Sequence, residues 1–320
     1  MKEDDPAVVE RCLVSVRPFI RAWRIADSGC SDEVRATILR VLEGIPGEII
    51  PIEWSGFADA RNAALDAARE TGCDYALVGV DADDFLEPRV LRMSGGRVVL
   101  SPISRLDRDF YAFENVAELP YFRIAFSRLS APARWRGKVH EQLPPDGVWA
   151  ERLGEYRVRC TRDGRASQND EAKSRHYYEL SVAETTEDPT NQMAWYHLAT
   201  AEVSLEDYPA ALENYPAALR AFDRVLALEP GPDLAYACLC QSADLMRAIG
   251  HATESVVAVF DRAMAVCPER AEAPRWLANL LTERGEQPDR ARELQHHADT
   301  LPFPTSSGWV DFSAYKEHSK

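Results

Sequence analysis

The chain has 320 residues, 46% of them hydrophobic, and its 37 basic and 52 acidic side chains leave a formal charge of −15. That length exceeds one small core and points to two domains, while the acidic excess argues against a protein that grips nucleic acid through clustered Lys and Arg. The seven cysteines form no C-x-x-C pair, no run of eighteen apolar residues occurs and Met1 to Pro6 hold no apolar leader, so the expectation is a cytoplasmic protein with reduced thiols and no transmembrane segment.

The charge is uneven. Up to residue 170 there are 24 basic and 28 acidic residues, against 13 and 24 beyond it. The first part therefore has enough Arg to manage an anion, and the second reads as a solvated acidic module. Adjacent His296 and His297 point to different faces of a helix and read as surface residues.

From Ala7 to Trp23 apolar residues recur at helical spacing, with Pro18 near the end. Trp23 to Asp27 reads as a strand, Ser31 or Asp32 as the cap of a helix from Glu33 to Glu43, and Glu48 to Ile52 as a second strand. A third helix opens near Trp54 and runs towards Gly72 with Arg61 in its first turns, where a guanidinium suits a phosphate, a neighbouring carboxylate or a surface salt bridge equally. This alternation predicts a largely parallel sheet.

Tyr75-Ala76-Leu77-Val78-Gly79-Val80 then reads as a strand buried on both faces, and it stops at Asp81-Ala82-Asp83-Asp84. Carboxylates at the carboxyl edge of a sheet can hold a divalent cation and a diphosphate, and on spacing alone they suit a solvated acidic turn as well. Gly95-Gly96 turns the chain into a strand at Arg97 to Ile103, Arg123 to Ser127 alternates like a strand, and Val139-His140-Glu141-Gln142-Leu143 sets an imidazole beside a carboxylate.

From about Glu171 the apolar spacing is helical throughout. Phe222-Asp223-Arg224-Val225-Leu226-Ala227-Leu228-Glu229-Pro230 recurs, 38 residues on, as Phe260-Asp261-Arg262-Ala263-Met264-Ala265-Val266-Cys267-Pro268. With aromatic-then-Leu anchors at Trp195, Tyr236 and Trp276 this reads as about three helix pairs, and Leu301 to Lys320 as an irregular or mobile tail. The expected domains are therefore 1–170, 171–300 and 301–320.

Ile25-Ala26-Asp27-Ser28-Gly29-Cys30-Ser31-Asp32, Phe57-Ala58-Asp59-Ala60-Arg61-Asn62-Ala63-Ala64-Leu65 and Val80-Asp81-Ala82-Asp83-Asp84, in that order, resemble three motifs of family 2 glycosyltransferases. Residues 139–143 resemble a fourth motif, found in members that carry tetratricopeptide repeats, and residues 190–300 resemble those repeats. The resemblance implies a GT-A-like, Rossmann-type α/β domain with a mostly parallel sheet, followed by an all-α repeat domain. It implies an inverting, metal-dependent hexosyltransferase that moves a sugar from a nucleotide-sugar, a UDP-sugar foremost, to a peptide, protein or saccharide acceptor. Carried over, Asp27 contacts the nucleoside, Arg61 the nucleotide and Asp81 the ribose side. Asp83, with Asp81, holds Mg²⁺ or Mn²⁺ on the diphosphate, Glu141 is the base and His140 lies nearer the phosphates. The repeats also offer a surface for homo-oligomers.

Three departures stand against this. The first apolar strand usual in that family is missing before Met1, Asp84 stands where Glu is common, and Cys160 stands where relatives often carry His. A second expectation follows from the first departure: a decayed transferase that serves as a protein-binding scaffold through its helical repeats.

Overall fold

A computed structural model describes residues 5–89, 92–94, 97–99, 103, 106–116, 121–143, 150–161, 170–205, 211–304 and 309–315. The chain divides into two compact units, Met1–Asp170 and Glu171–Lys320.

The first unit opens with helix α1 (Pro6–Val16), capped by the Asp5 carboxylate, which accepts from the Ala7 N–H at 2.8 Å. The helical spacing that runs on to Trp23 is broken at Pro18, where the chain tightens into a 3-10 turn over Arg17–Phe19. Strand β1 (Trp23–Asp27), helix α2 (Asp32–Val41) and strand β2 (Gly47–Pro51) follow, with the Ser31 hydroxyl capping α2 through the Val34 N–H at 3.2 Å. The two strands pair in parallel, from Trp23 beside Gly47 to Asp27 beside Pro51, because a helix carries the chain back across the sheet between them. A side chain at Gly47 would collide with the Trp23 indole, which keeps that position glycine. Val9, Leu13, Trp23, Val34 and Ile38 fill the space between α1, α2 and this pair.

Helix α3 (Phe57–Arg69) leads to strands β3 (Tyr75–Leu77), β4 (Asp84–Pro88), β5 (Arg92–Ser94), β6 (Arg97–Val99), β7 (Phe110–Val116), β8 (Tyr121–Arg128) and β9 (Glu151–Cys160). Here the structure corrects the expected mostly parallel, Rossmann-type sheet. Five strands are ordered β3-β8-β7-β9-β4, and every neighbouring pair except β7 and β9 is antiparallel. The cause is legible in the connections. No helix is described between Pro88 and Asp170 to carry the chain back for a parallel pair, and β7 pairs antiparallel with β8, its neighbour in sequence. β5 and β6 form a separate hairpin, and the Gly95-Gly96 turn between them lies outside the described residues. The strand expected over Tyr75 to Val80 is three residues long and half-buried rather than enclosed on both faces.

The second unit is all helix: α4 (Asp170–Glu187), α5 (Gln192–Ser204), α6 (Ala211–Ala227), α7 (Pro232–Ala248), α8 (Thr253–Val266), α9 (Glu272–Arg284) and α10 (Pro288–Thr300). Successive helices from α5 to α10 pack on one another as a helical repeat. α7 is the shared wall. Cys238 and Leu245 face a core with Leu198, Ala218, Phe222 and Val225, whereas Tyr236, Leu239, Cys240 and Ala243 face a second core with Val256, Phe260, Leu277 and Leu281. Pro230 and Pro268 fall just beyond α6 and α8, where the ring forbids another helical turn.

All seven cysteines are free thiols and five are buried. Among the described residues no helix is long and apolar enough to cross a membrane. Of the expected tail, 305–308 and 316–320 lie outside the described residues, and Ala314 and Tyr315 are buried beside Ala271 and Ala298.

Phe222 and Phe260 are 0% and 1% exposed at matching repeat positions. Phe222→Ala and Phe260→Ala should each lower unfolding free energy by about 3–5 kcal/mol, measured by urea denaturation.

Candidate functional site

The acidic edge forms where β3 ends. The Val78 N–H donates to the Ala125 carbonyl at 2.8 Å, so the chain stays beside β8 for one residue more. At Gly79 a Cβ would lie 1.6 Å from the Ile124 carbonyl oxygen, an approach only glycine allows. A tight turn then follows, in which the Asp84 N–H donates to the Asp81 carbonyl and the Asp84 carboxylate accepts the Asp81 N–H at 2.9 Å.

Arginines bind this edge from two sides. Arg123 of β8 donates to Asp84 Oδ2 at 2.6 Å and pairs with Asp81 Oδ2. Arg61 of α3 donates through Nη2 to Asp81 Oδ1 at 2.7 Å and through Nε to Glu141 Oε1 at 2.5 Å, with its guanidinium over the Trp135 ring. Asn62 fixes that ring's backbone by exchanging two hydrogen bonds of 2.9 Å with Trp135. The Arg136 and Gln142 backbones pair across the loop, so Glu141 is delivered to Arg61 from a closed turn.

Electrostatics follow the pairing. Burial alone would raise Asp81, but the Arg123 and Arg61 charges outweigh it and hold the carboxyl well below its ordinary range. Asp84 is 1% exposed, and its burial wins over the Arg123 charge, so its carboxyl is pushed up. Burial would likewise lower Arg61, but Asp81 and Glu141 reverse the effect and keep it firmly cationic.

The structure thus brings together three of the six candidate residues, Arg61, Asp81 and Glu141. Asp27 sits at the end of β1 with its carboxylate engaged by its own loop: it accepts from the Gly29 N–H at 2.9 Å, the Cys30 N–H at 2.7 Å and Arg35 Nε at 2.7 Å. Asp83 is half-buried, and its carbonyl accepts from Arg11 and from the Thr161 hydroxyl. His140 is exposed with φ of 51°, a left-handed turn residue. Arg123 was missed in the sequence; its one signal was a charge inside an otherwise apolar, alternating strand.

The arrangement ties α3, the turn before β4, β8 and the 135–142 loop together through alternating charges. Both Asp81 carboxylate oxygens are engaged by an arginine. Among the described residues no group of three or more His, Cys, Asp or Glu is placed to hold a metal ion.

The family that matches is the bacterial transcriptional activator domain, over residues 124–239, and no glycosyltransferase family is among the matches. No curated protein matches the chain. Among solved structures, a crystal structure of MamA is 16% identical over 39% of this chain and 67% of its own, with a TM-score of 0.33. A thermophilic TPR protein of Thermus thermophilus is 19% identical over 40% of this chain and 72% of its own, with a TM-score of 0.32.

The match to the bacterial transcriptional activator domain and the mixed sheet correct the family 2 glycosyltransferase resemblance. With it go the hexosyltransferase activity and the GT-A and Asp-x-Asp designations, and nothing supports a nucleotide-sugar partner. Each motif has a local use here: Asp27 braces a loop, Arg61 bridges two carboxylates, and residues 81–84 make a turn.

Arg123→Ala would leave the buried Asp84 without its cation and should cost about 3 kcal/mol of stability in urea denaturation. Asp27 supplies a pH dependence. Burial would raise it, yet the Cys30 and Gly29 N–H groups and Arg35 bring it to about 2. A depressed carboxyl stabilises the fold above its unfolded value near 4 and loses that contribution as pH falls through the folded value. Between pH 5 and pH 2 the parent chain should therefore lose about 2 kcal/mol more than Asp27→Asn, compared by urea midpoints at each pH.

Proposed function

We propose that the protein is a protein-binding scaffold whose helical repeats, residues 171–300, hold a partner. The observation that carries this reading is the stacking about α7, a helix buried on both sides so that adjacent pairs share a continuous core. A stack of that kind exposes long helix faces whose purpose is contact rather than chemistry. In the first unit the acidic edge is taken up by Arg61 and Arg123, which suits a structural brace better than a reaction centre.

The match to the bacterial transcriptional activator domain, which reaches from β8 into α7, supports a regulatory setting for the scaffold. A part in transcription would run through protein contacts, because 24 acidic against 13 basic residues beyond residue 170 disfavour a direct grip on DNA.

Those acids also supply the test. Carboxylate-directed cross-linking of the full chain to a partner retained from its source cells, read by mass spectrometry, should place the links within residues 192–300. A partner joined only through residues 1–170, or none retained, would overturn the reading.

A further inference from the structure

The start of α9 carries a buried ion pair. Arg270 and Glu272, 2% and 0% exposed, sit at the start of α9, and Tyr236 of α7 closes over them: its hydroxyl lies 3.3 Å from Glu272 Oε2, and its ring lies under the Arg270 guanidinium. Replacing such a pair with apolar residues is often neutral or stabilising, so a buried pair here calls for a reason other than stability.

What covers it is the chain's own segment Trp309–Tyr315, and the contact has the form of a bound peptide. Main-chain atoms are captured: Arg270 Nη2 donates to the Trp309 carbonyl at 2.5 Å, Arg275 donates to the Ala314 carbonyl at 3.2 Å, and the Asp311 N–H donates to Glu272 Oε1 at 3.2 Å. Side chains are read as well. The Trp276 indole N–H donates to Asp311 Oδ2 at 3.0 Å, the Tyr315 hydroxyl donates to Glu272 Oε2 at 2.9 Å, and Trp309 meets Trp276 edge to face. The other Asp311 oxygen caps the segment's own 3-10 turn through Ser313. Main-chain bonds that give affinity and side-chain positions that give specificity are the division of labour of peptide recognition.

Arg270 is engaged on a third side as well, with Nη1 3.5 Å from Asp233 Oδ1 at the start of α7.

We propose that this face of α9 is a peptide-docking groove held by the chain's own C-terminal segment. Its partner is a protein segment with an aromatic residue, a carboxylate two positions on and a tyrosine four positions after that. The proposal rests on the scaffold reading and gives it a site and a ligand chemistry.

The probe is a labelled synthetic peptide with the sequence of residues 307–316, titrated by fluorescence anisotropy into the full chain and into its Asp311→Ala/Tyr315→Phe variant. The variant should bind the peptide about tenfold more tightly or better, because the parent's own segment competes for the groove. An unlabelled peptide lacking the Asp and Tyr side chains should fail to displace it. No binding by the variant, or equal displacement by both peptides, would overturn the proposal.

Hydrogen exchange on the parent chain removes any dependence on how the variant folds. The Asp311 and Ser313 amides should exchange about tenfold faster than those of Leu277 to Leu281, and equal protection would mean that the segment opens only with the whole unit. Failure here leaves the scaffold reading standing if cross-links still fall elsewhere on the repeats, and a failed scaffold test with intact peptide binding separates the two the other way.

Discussion

The second unit depends on a single constraint, that α7 is apolar on two sides and must be enclosed from both. A helix with one apolar stripe is satisfied by one neighbour, but Cys238 and Leu245 on one side and Leu239, Cys240 and Ala243 on the other require two. That requirement forces serial packing, in which each pair completes the core of the next. Where the start of α9 meets α7 the chain places buried charge, covered by an aromatic, acid-bearing segment.

The first unit solves a different problem. A strand that ends in three carboxylates within four residues would repel itself, and the fold answers with arginines from two elements far apart in sequence, Arg61 and Arg123. Breaking such a pair strands a buried charge, so Arg61 and Arg123 hold α3, β8 and the 135–142 loop to the acidic turn. The asymmetry within the cluster follows from depth. Asp81, half-buried between two cations, stays charged easily, while Asp84 is enclosed and is the member that resists ionisation.

Local signals were read correctly where the physics is local. The Ser31 cap, the parallel pair around α2, and the repeat anchored on Phe222 and Phe260 all follow from spacing and turn chemistry within a few dozen residues. The order of the five-stranded sheet did not, because β7 lies beside β9 in parallel but beside β8 in antiparallel fashion, and no local pattern encodes which partner a strand finds. The site was legible to the same extent. Arg61 stood out in the first turns of a helix, Asp81 at a strand end and Glu141 beside His140, whereas Arg123 became significant only when β8 was folded against the acidic turn. The glycosyltransferase resemblance failed for a related reason: Asp27, Arg61 and Asp81 to Asp84 are residue types that also make loop braces, salt bridges and turns, and here those uses account for their contacts. The buried pair at the start of α9 was invisible because Arg270 and Glu272, two residues apart, look like ordinary surface charges until Trp309 to Tyr315 close over them.

The cysteines of α7 carry a practical consequence. Cys238 and Cys240 are two residues apart on one helix, yet they belong to different cores, and burial pushes both thiols up, Cys238 to about 12. Only the thiolate reacts with alkylating reagents, so at neutral pH neither sulfur is attacked while its core is closed. The two positions therefore act as separate clocks on the same helix, each timing how often the wall it faces comes apart.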